Sequence, residues 1–354
     1  MHPVIPHEES EPVGRPIEVK GIWVHTQTAP CANHCRYCQL NHKRLANITF
    51  DRFRSIVERF REWKQVRGLA DFDVVQWLGR SHNYDVNTLK GVMELSDRPD
   101  WHLDLILLGG LYWRPDDEMR AWLRHRQEIG IKAVVASFAG HGEFHDRWDG
   151  RKGDFDFQMR TLRVAAGLGM ELRQRLFLTR STIPFLDELI RKLDALPGRV
   201  TDRCIYPLFY CGKARRMEDE RVTRETFDTL PEHIRKLYRS DWPNWRSERE
   251  WIDVVRAEDQ IPEKVTLDLE LTDSNVDRIE SMSCDEIVAD LESRTRTAYA
   301  SIPSRSELCE RHGDPSNTRV YMFRSDIERK WLDLHLAKYP ATFDRELTHL
   351  KTGT

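Results

Sequence analysis

A chain of 354 residues that is 40% hydrophobic and 10% aromatic can bury a sizeable core, so wholesale disorder is excluded. Fifty-five basic residues against 58 acidic ones leave a net charge of −3, which gives no electrostatic case for nucleic acid or an anionic membrane as partner. No apolar run reaches the roughly 18 residues of a spanning helix, and the first residues lack the basic-then-apolar pattern of a secretory signal. The expectation is a cytoplasmic enzyme.

After a polar, proline-rich lead (1–16), strand-like and helix-like patterns alternate. Residues 17–26 alternate apolar and polar side chains as a half-buried strand does. A cysteine-rich loop follows. Phe50, Phe53, Ile56, Val57, Phe60 and Trp63 then recur at helical spacing behind Thr49, a suitable N-cap. Strands are expected at 72–78, 103–108, 133–138, 175–179 and 204–210. Helices are expected at 87–95, behind Pro115, and at 156–168, 184–196 and 224–239. Six strand–helix units argue for parallel strands joined by right-handed crossovers, with reactive groups gathered at the strands' carboxyl ends.

Beyond Tyr238 the composition changes. Trp242, Trp245 and Trp251 lie among arginines and glutamates. Val265, Leu267, Leu269 and Leu271 alternate into a Thr272–Asn275 turn, a hairpin signal. Helices at 285–291 and 327–336 follow. The division expected is a lead (1–16), a core (17–240) and a C-terminal α+β extension (241–354) that covers or finishes the core.

Three of the seven cysteines, Cys31, Cys35 and Cys38, form C-x3-C-x2-C on the loop after the first strand. Three thiolates so close can each bind a different iron of a cubane cluster, leaving the fourth iron open to a chelating ligand. Zinc is the rival, because His42 would complete a Cys3His set, and with it comes a non-catalytic zinc or iron–sulfur binding protein. His141 and His145 stand four apart, but Gly140 and Gly142 oppose the helix that a zincin-like pair requires.

The loop, with Tyr37 just before its last cysteine, resembles that of radical S-adenosylmethionine (SAM) enzymes. Ala136–Gly140 with His145-Asp146-Arg147, Gly150, Gly153 and Phe155 resembles the fourth-strand segment of the peptide-modifying, SPASM-type members. Leu176–Thr179 with Ile183 and Leu186 resembles their fifth unit, and Tyr206-Pro207-Leu208 with Gly212-Lys213-Ala214 their sixth. The resemblance covers about two-thirds of the chain.

It implies a partial (βα)6 TIM-type barrel, a [4Fe–4S] cluster on Cys31, Cys35 and Cys38, and SAM on the open iron. It also implies an electron donor such as flavodoxin or ferredoxin, and a small-molecule or peptide substrate. Tyr37 would lie near the adenine, Ser137 near the ribose or carboxylate, and Pro207 on the adenine wall, with Arg147 as a charge for the carboxylate. Where the family commonly has Gly-Gly-Glu after the second strand, this chain has Leu78-Gly79-Arg80-Ser81-His82, so polar groups near Gly79 and Ser81 would meet the methionine amine. His82, Asn83, Tyr84 and Asp85, past the second strand, are candidates to face the substrate. The extension looks like a SPASM or twitch hairpin stripped of its ligands, since Cys204, Cys211, Cys284 and Cys309 are widely spaced.

Overall fold

The computed structural model describes residues 17–38, 45–78, 83–96, 104–238, 245–257 and 263–339. The first strand, β1 (Ile17–His25), is followed by α1 (Phe50–Val66), β2 (Asp73–Trp77), α2 (Val86–Leu95), β3 (Leu105–Leu107) and α3 (Asp116–Glu128). Then come β4 (Ala133–Phe138), α4 (Gly142–Asp149), α5 (Asp154–Gly167), β5 (Glu171–Phe177), α6 (Leu186–Asp194) and β6 (Val200–Tyr206). The alternation is as expected, with two shifts: β5 and β6 each begin about four residues earlier than their apolar runs. Their first halves are rich in charged and polar residues, which hides a strand from a hydrophobicity pattern.

Every pairing among these strands is parallel, in two sheets ordered β2-β1-β8 and β3-β4-β5-β6, where β8 is Glu263–Glu270. Ile22 and Val24 of β1 pack with Phe53, Ile56 and Phe60 of α1. Leu172 and Leu176 of β5 pack with Leu162 of α5 and Leu189 of α6. Helices therefore cover one face of each sheet. Strand alternation turns Trp23 and His25, and likewise Arg175 and Phe177, to the opposite, inner face. Leu89 of α2 shares a core cluster with Met119 and Leu123 of α3, so the outer helical layer runs on from one sheet to the other. The parallel α/β, partial-barrel reading stands, with a seventh strand added.

That strand corrects the hairpin reading. β8 is not one arm of a hairpin; it lies parallel to β1, with Asp268 opposite Trp23 and Glu270 opposite His25. The turn after Leu271 leads into α10 (Val276–Ser281) and then α11 (Cys284–Ala300), whose Ile287 and Leu291 join α1 in covering β1. The open edge of β1 offered unpaired backbone groups, and an alternating apolar strand from a distant segment took them.

The helix expected at 224–239 is instead two short ones, α7 (Arg224–Asp228) and α8 (Glu232–Arg235), interrupted at Pro231. A short antiparallel pair, β7 (Arg246–Ser247) with β9 (Val320–Tyr321), and helices α9 (Glu248–Ala257), α12 (Arg305–His312) and α13 (Arg324–Lys338) complete the chain. Trp245 stacks edge-on to Phe227 and Tyr238, and Trp251 donates Nε1–H to the Tyr321 carbonyl at 3.2 Å. No helix among the described residues is long and apolar enough to cross a membrane.

Candidate active site

The cysteine loop leaves the carboxyl end of β1 and is held by backbone hydrogen bonds at nearly every step. Ala32 N–H donates to the Gly110 carbonyl (3.0 Å), His34 to Asp149 (3.0 Å) and Arg36 to Trp148 (2.8 Å). The Cys38 carbonyl accepts from Lys213 N–H at 2.9 Å. The loop is thus tied to the turn after β3, to the last turn of α4 and to the segment after β6. Gly150 permits the contact with α4. It ends that helix at φ +62°, and a Cβ there would lie 2.5 Å from the His34 carbonyl oxygen.

Cys31, Cys35 and Cys38 are each partly buried. Burial pushes the Cys35 thiol well above its ordinary range, and the Asp149 carboxylate and the charges of Cys31 and Cys38 add to the rise. Three thiols on one loop, with Cys35 feeling the charges of the other two, are a donor set that a cationic iron cluster would satisfy, since a bound metal reverses that penalty. The residues present fit the group. His42, the fourth zinc candidate, lies outside the described residues, as do Gly79 and Ser81.

Tyr37 turns inward. Its ring lies 4.2 Å from Phe177 of β5 and 6.2 Å from Trp148, and its hydroxyl donates to Asp149 Oδ1 at 2.7 Å. Phe177 in turn packs on Tyr206 at 4.5 Å. Ser137, at the end of β4, shares a hydrogen bond with the Tyr206 hydroxyl, and Pro207 is buried just past β6. Tyr37 and the carboxyl ends of β4, β5 and β6 therefore meet around one aromatic wall.

Arg147 is not part of it. It lies on the outer face of α4, 65% exposed, with Glu143 3.9 Å away and the Phe144 ring 5.7 Å from its guanidinium. The positions one and two residues further on face the loop instead. Of the candidates past β2, His82 lies outside the described residues and the other three are structural: Asn83 Nδ2–H donates to the carbonyls of Pro30 (2.7 Å) and Gly110 (2.8 Å), Tyr84 bonds Thr28 and the Leu78 carbonyl, and Asp85 caps α2.

Beneath the loop lies a polar cluster that the sequence reading passed over. Asn33 Nδ2–H donates to Asp149 Oδ2 (3.1 Å) and Asp154 Oδ2 (3.2 Å), and Gln158 Nε2–H donates to Asp154 Oδ2 (2.7 Å). Arg151 bridges Asp154 Oδ1, Asn33 Oδ1 and the Leu111 carbonyl. His145 Nδ1 accepts from Ala139 N–H at 3.1 Å, leaving Nε2–H to donate to Asp154 at 3.2 Å. Burial opposes a charge on His145 while Asp149 and Asp154 favour it, and the net direction is upward. The Ala139 N–H aimed at Nδ1 nonetheless selects the neutral tautomer, because a cation would set two N–H groups head to head.

The ligand atoms of His145, Asp149 and Asp154 lie within 4.8 Å of one another, but the Asn33 and Gln158 amides and Arg151 already serve the carboxylates. α4 also corrects the objection that glycines oppose a helix at 141–145. The helix forms, with His141 at its N-cap beside Phe155 and Phe185. Asp149 and Asp154 were missed because acids flanking Gly150 and Gly153 read as a solvated turn; the one usable signal was an asparagine inside the cysteine motif.

The remaining cysteines are not gathered. Cys284 belongs to the core cluster around α1 and α11, Cys309 to the one around α9 and α13, Cys204 lies in β6, and Cys211 precedes Gly212.

No protein-family model matches the chain. Over 128 residues it is 25% identical to the Fe-coproporphyrin III synthase of Methanosarcina barkeri, covering 35% of this chain and 32% of that protein. The fold is similar to HemN, the coproporphyrinogen III oxidase of Escherichia coli described as a radical SAM enzyme (TM-score 0.40, 13% identity, 92% of this chain and 91% of that one). It is also similar to SuiB of Streptococcus suis bound to its precursor peptide SuiA (TM-score 0.35, 14% identity, 56% of this chain and 41% of that one). The chain spans about a third of the length of the curated relative it matches. The loop carries three cysteines, and the aromatic wall of Tyr37, Phe177 and Tyr206 meets it through Tyr37.

Proposed function

We propose that this chain is a radical SAM enzyme, holding a [4Fe–4S] cluster on Cys31, Cys35 and Cys38 and acting on a small-molecule or peptide substrate. With SAM on its open iron, such a cluster supplies one-electron cleavage to a 5′-deoxyadenosyl radical that abstracts a hydrogen atom from the substrate. The single observation that carries the reading is the meeting of the three-thiol loop with the carboxyl ends of β4, β5 and β6, where Tyr37 packs on Phe177.

The chain's own residues then have distinct tasks. The three thiolates ligate. Tyr37, Phe177, Tyr206 and Pro207 form an apolar wall for the adenine and keep water from the reacting centre. Ser137 offers a hydroxyl to the ribose or carboxylate, and the segment holding Gly79 and Ser81 meets the amine. An electron donor of the flavodoxin or ferredoxin kind supplies the reducing equivalent. The inner face of β1 and β2 carries Trp23, His25 and Trp77, and that of β5 carries Arg175. That mixed aromatic and charged lining accommodates either substrate class, as do the relatives, one named for an iron porphyrin and one bound to a peptide.

Anaerobic reconstitution with iron and sulfide tests the reading. A brown protein with about four irons per chain is expected, releasing 5′-deoxyadenosine with dithionite and SAM and losing both properties on Cys35→Ala. A colourless chain with stoichiometric zinc and no nucleoside would overturn it.

A further inference from the structure

Two carboxylates, Asp149 at 2% exposure and Asp154 at 0%, sit side by side in the core and share the Asn33 amide. Burying such a pair costs stability, and an apolar or amide set of similar volume would cost less. Arg151 faces Asp154, at 3.3 Å, through Asp154 Oδ1. Asp149 is committed elsewhere. Its Oδ2 accepts from Asn33, two residues before Cys35, and its Oδ1 accepts from Tyr37, two residues after it. Its backbone carbonyl accepts from His34, and that of Trp148 from Arg36. The four residues flanking Cys35 are therefore all bonded to the last two residues of α4.

We propose that Asp149 is a positioning residue for the metal-binding loop, fixing Cys35 between two side-chain ties and setting a carboxylate beside the cluster. The inference rests on the radical SAM reading and deepens it. The ties make the loop preformed, so that metal binds without first ordering five residues. The carboxylate disfavours addition of an electron to the cluster, because nearby charge and outer-shell hydrogen bonds are the protein's means of setting a cluster's potential. Asp149→Asn removes the charge and keeps one acceptor, whereas Asp149→Ala cuts both ties. Tyr37→Phe cuts one and leaves α4 untouched.

The reconstituted, full-length protein decides the matter by two readouts that do not require turnover. One is the cluster's midpoint potential, followed by electron paramagnetic resonance in a redox titration. The other is the rate of iron loss to a ferrous chelator. The expected results are a higher potential in Asp149→Asn, and iron loss several-fold faster than wild type in Asp149→Ala and Tyr37→Phe, with Tyr37→Phe serving alone should Asp149→Ala fail to fold. Wild-type potential in Asp149→Asn together with wild-type iron loss in Tyr37→Phe would overturn the inference and leave the enzyme reading intact. A wild-type chain that takes up no iron–sulfur cluster would overturn the enzyme reading itself.

Discussion

His25, the last residue of β1, and Asp268, in the middle of β8, are hydrogen-bonded through Nε2 and Oδ1 although 243 residues separate them. Both side chains are nearly buried, and His25 stacks on Trp23 at 4.3 Å. The final third of the chain is thus pinned to the strand that launches the cysteine loop. His25→Ala leaves a buried carboxylate without its donor, at a cost of roughly 1–3 kcal/mol. Urea unfolding monitored by circular dichroism should register that loss, and an unchanged midpoint would refute the pairing.

Gly150 is the point of closest approach between α4 and the loop. Gly150→Ala adds the left-handed backbone penalty of about 1–2 kcal/mol to a Cβ placed 2.5 Å from a backbone oxygen that cannot yield cheaply. The variant should unfold earlier and take up less iron on reconstitution. Wild-type iron content with wild-type stability would contradict the tight approach.

Asp149 makes stability depend on pH. Burial first, and the Asp154 carboxylate second, push its carboxyl up to about 6. Because the folded chain holds that proton more tightly than the unfolded one, this group stabilises the fold below about pH 4 relative to higher pH. The advantage fades as pH rises through 6 and is gone above it. A rise from an ordinary value of about 3.9 corresponds to at most roughly 3 kcal/mol, opposed by the lost hydrogen bond in any variant. Metal-free Asp149→Asn should therefore gain on wild type at pH 8 and lose that gain at pH 4. A difference between the two unfolding curves that is independent of pH would exclude the raised carboxyl.

Cys284 and Cys309 occupy separate core clusters, at 4% and 2% exposure. Cys284→Ala with Cys309→Ala should lower stability by about 1 kcal/mol per site while iron per chain stays at the wild-type figure. A fall in iron and acid-labile sulfide would reveal a second cluster.

The parallel α/β class and the three-cysteine loop were legible because each rests on short-range information. Alternation marks β1, a helical repeat behind Thr49 marks α1, and three cysteines within eight positions need no tertiary argument. Thr49 does cap α1, accepting from Arg52 N–H. The strand limits of β5 and β6 were less legible, because arginines and glutamines stand where their apolar pattern should begin. Arg147 was misjudged for a related reason: its position in a motif says nothing of which way a helix faces it.

The amino-acid sequence by itself determined the chemistry on offer, since thiol spacing along a loop is a covalent fact. Only the tertiary structure decided what surrounds those thiols. Asn33 and Tyr37 are separated from Asp149 and Asp154 by more than a hundred residues of chain, and no local pattern couples the two pairs. β8 likewise has the alternation of a hairpin arm, and it became a parallel neighbour of β1 because that edge was open and burying its apolar face against α11 required it.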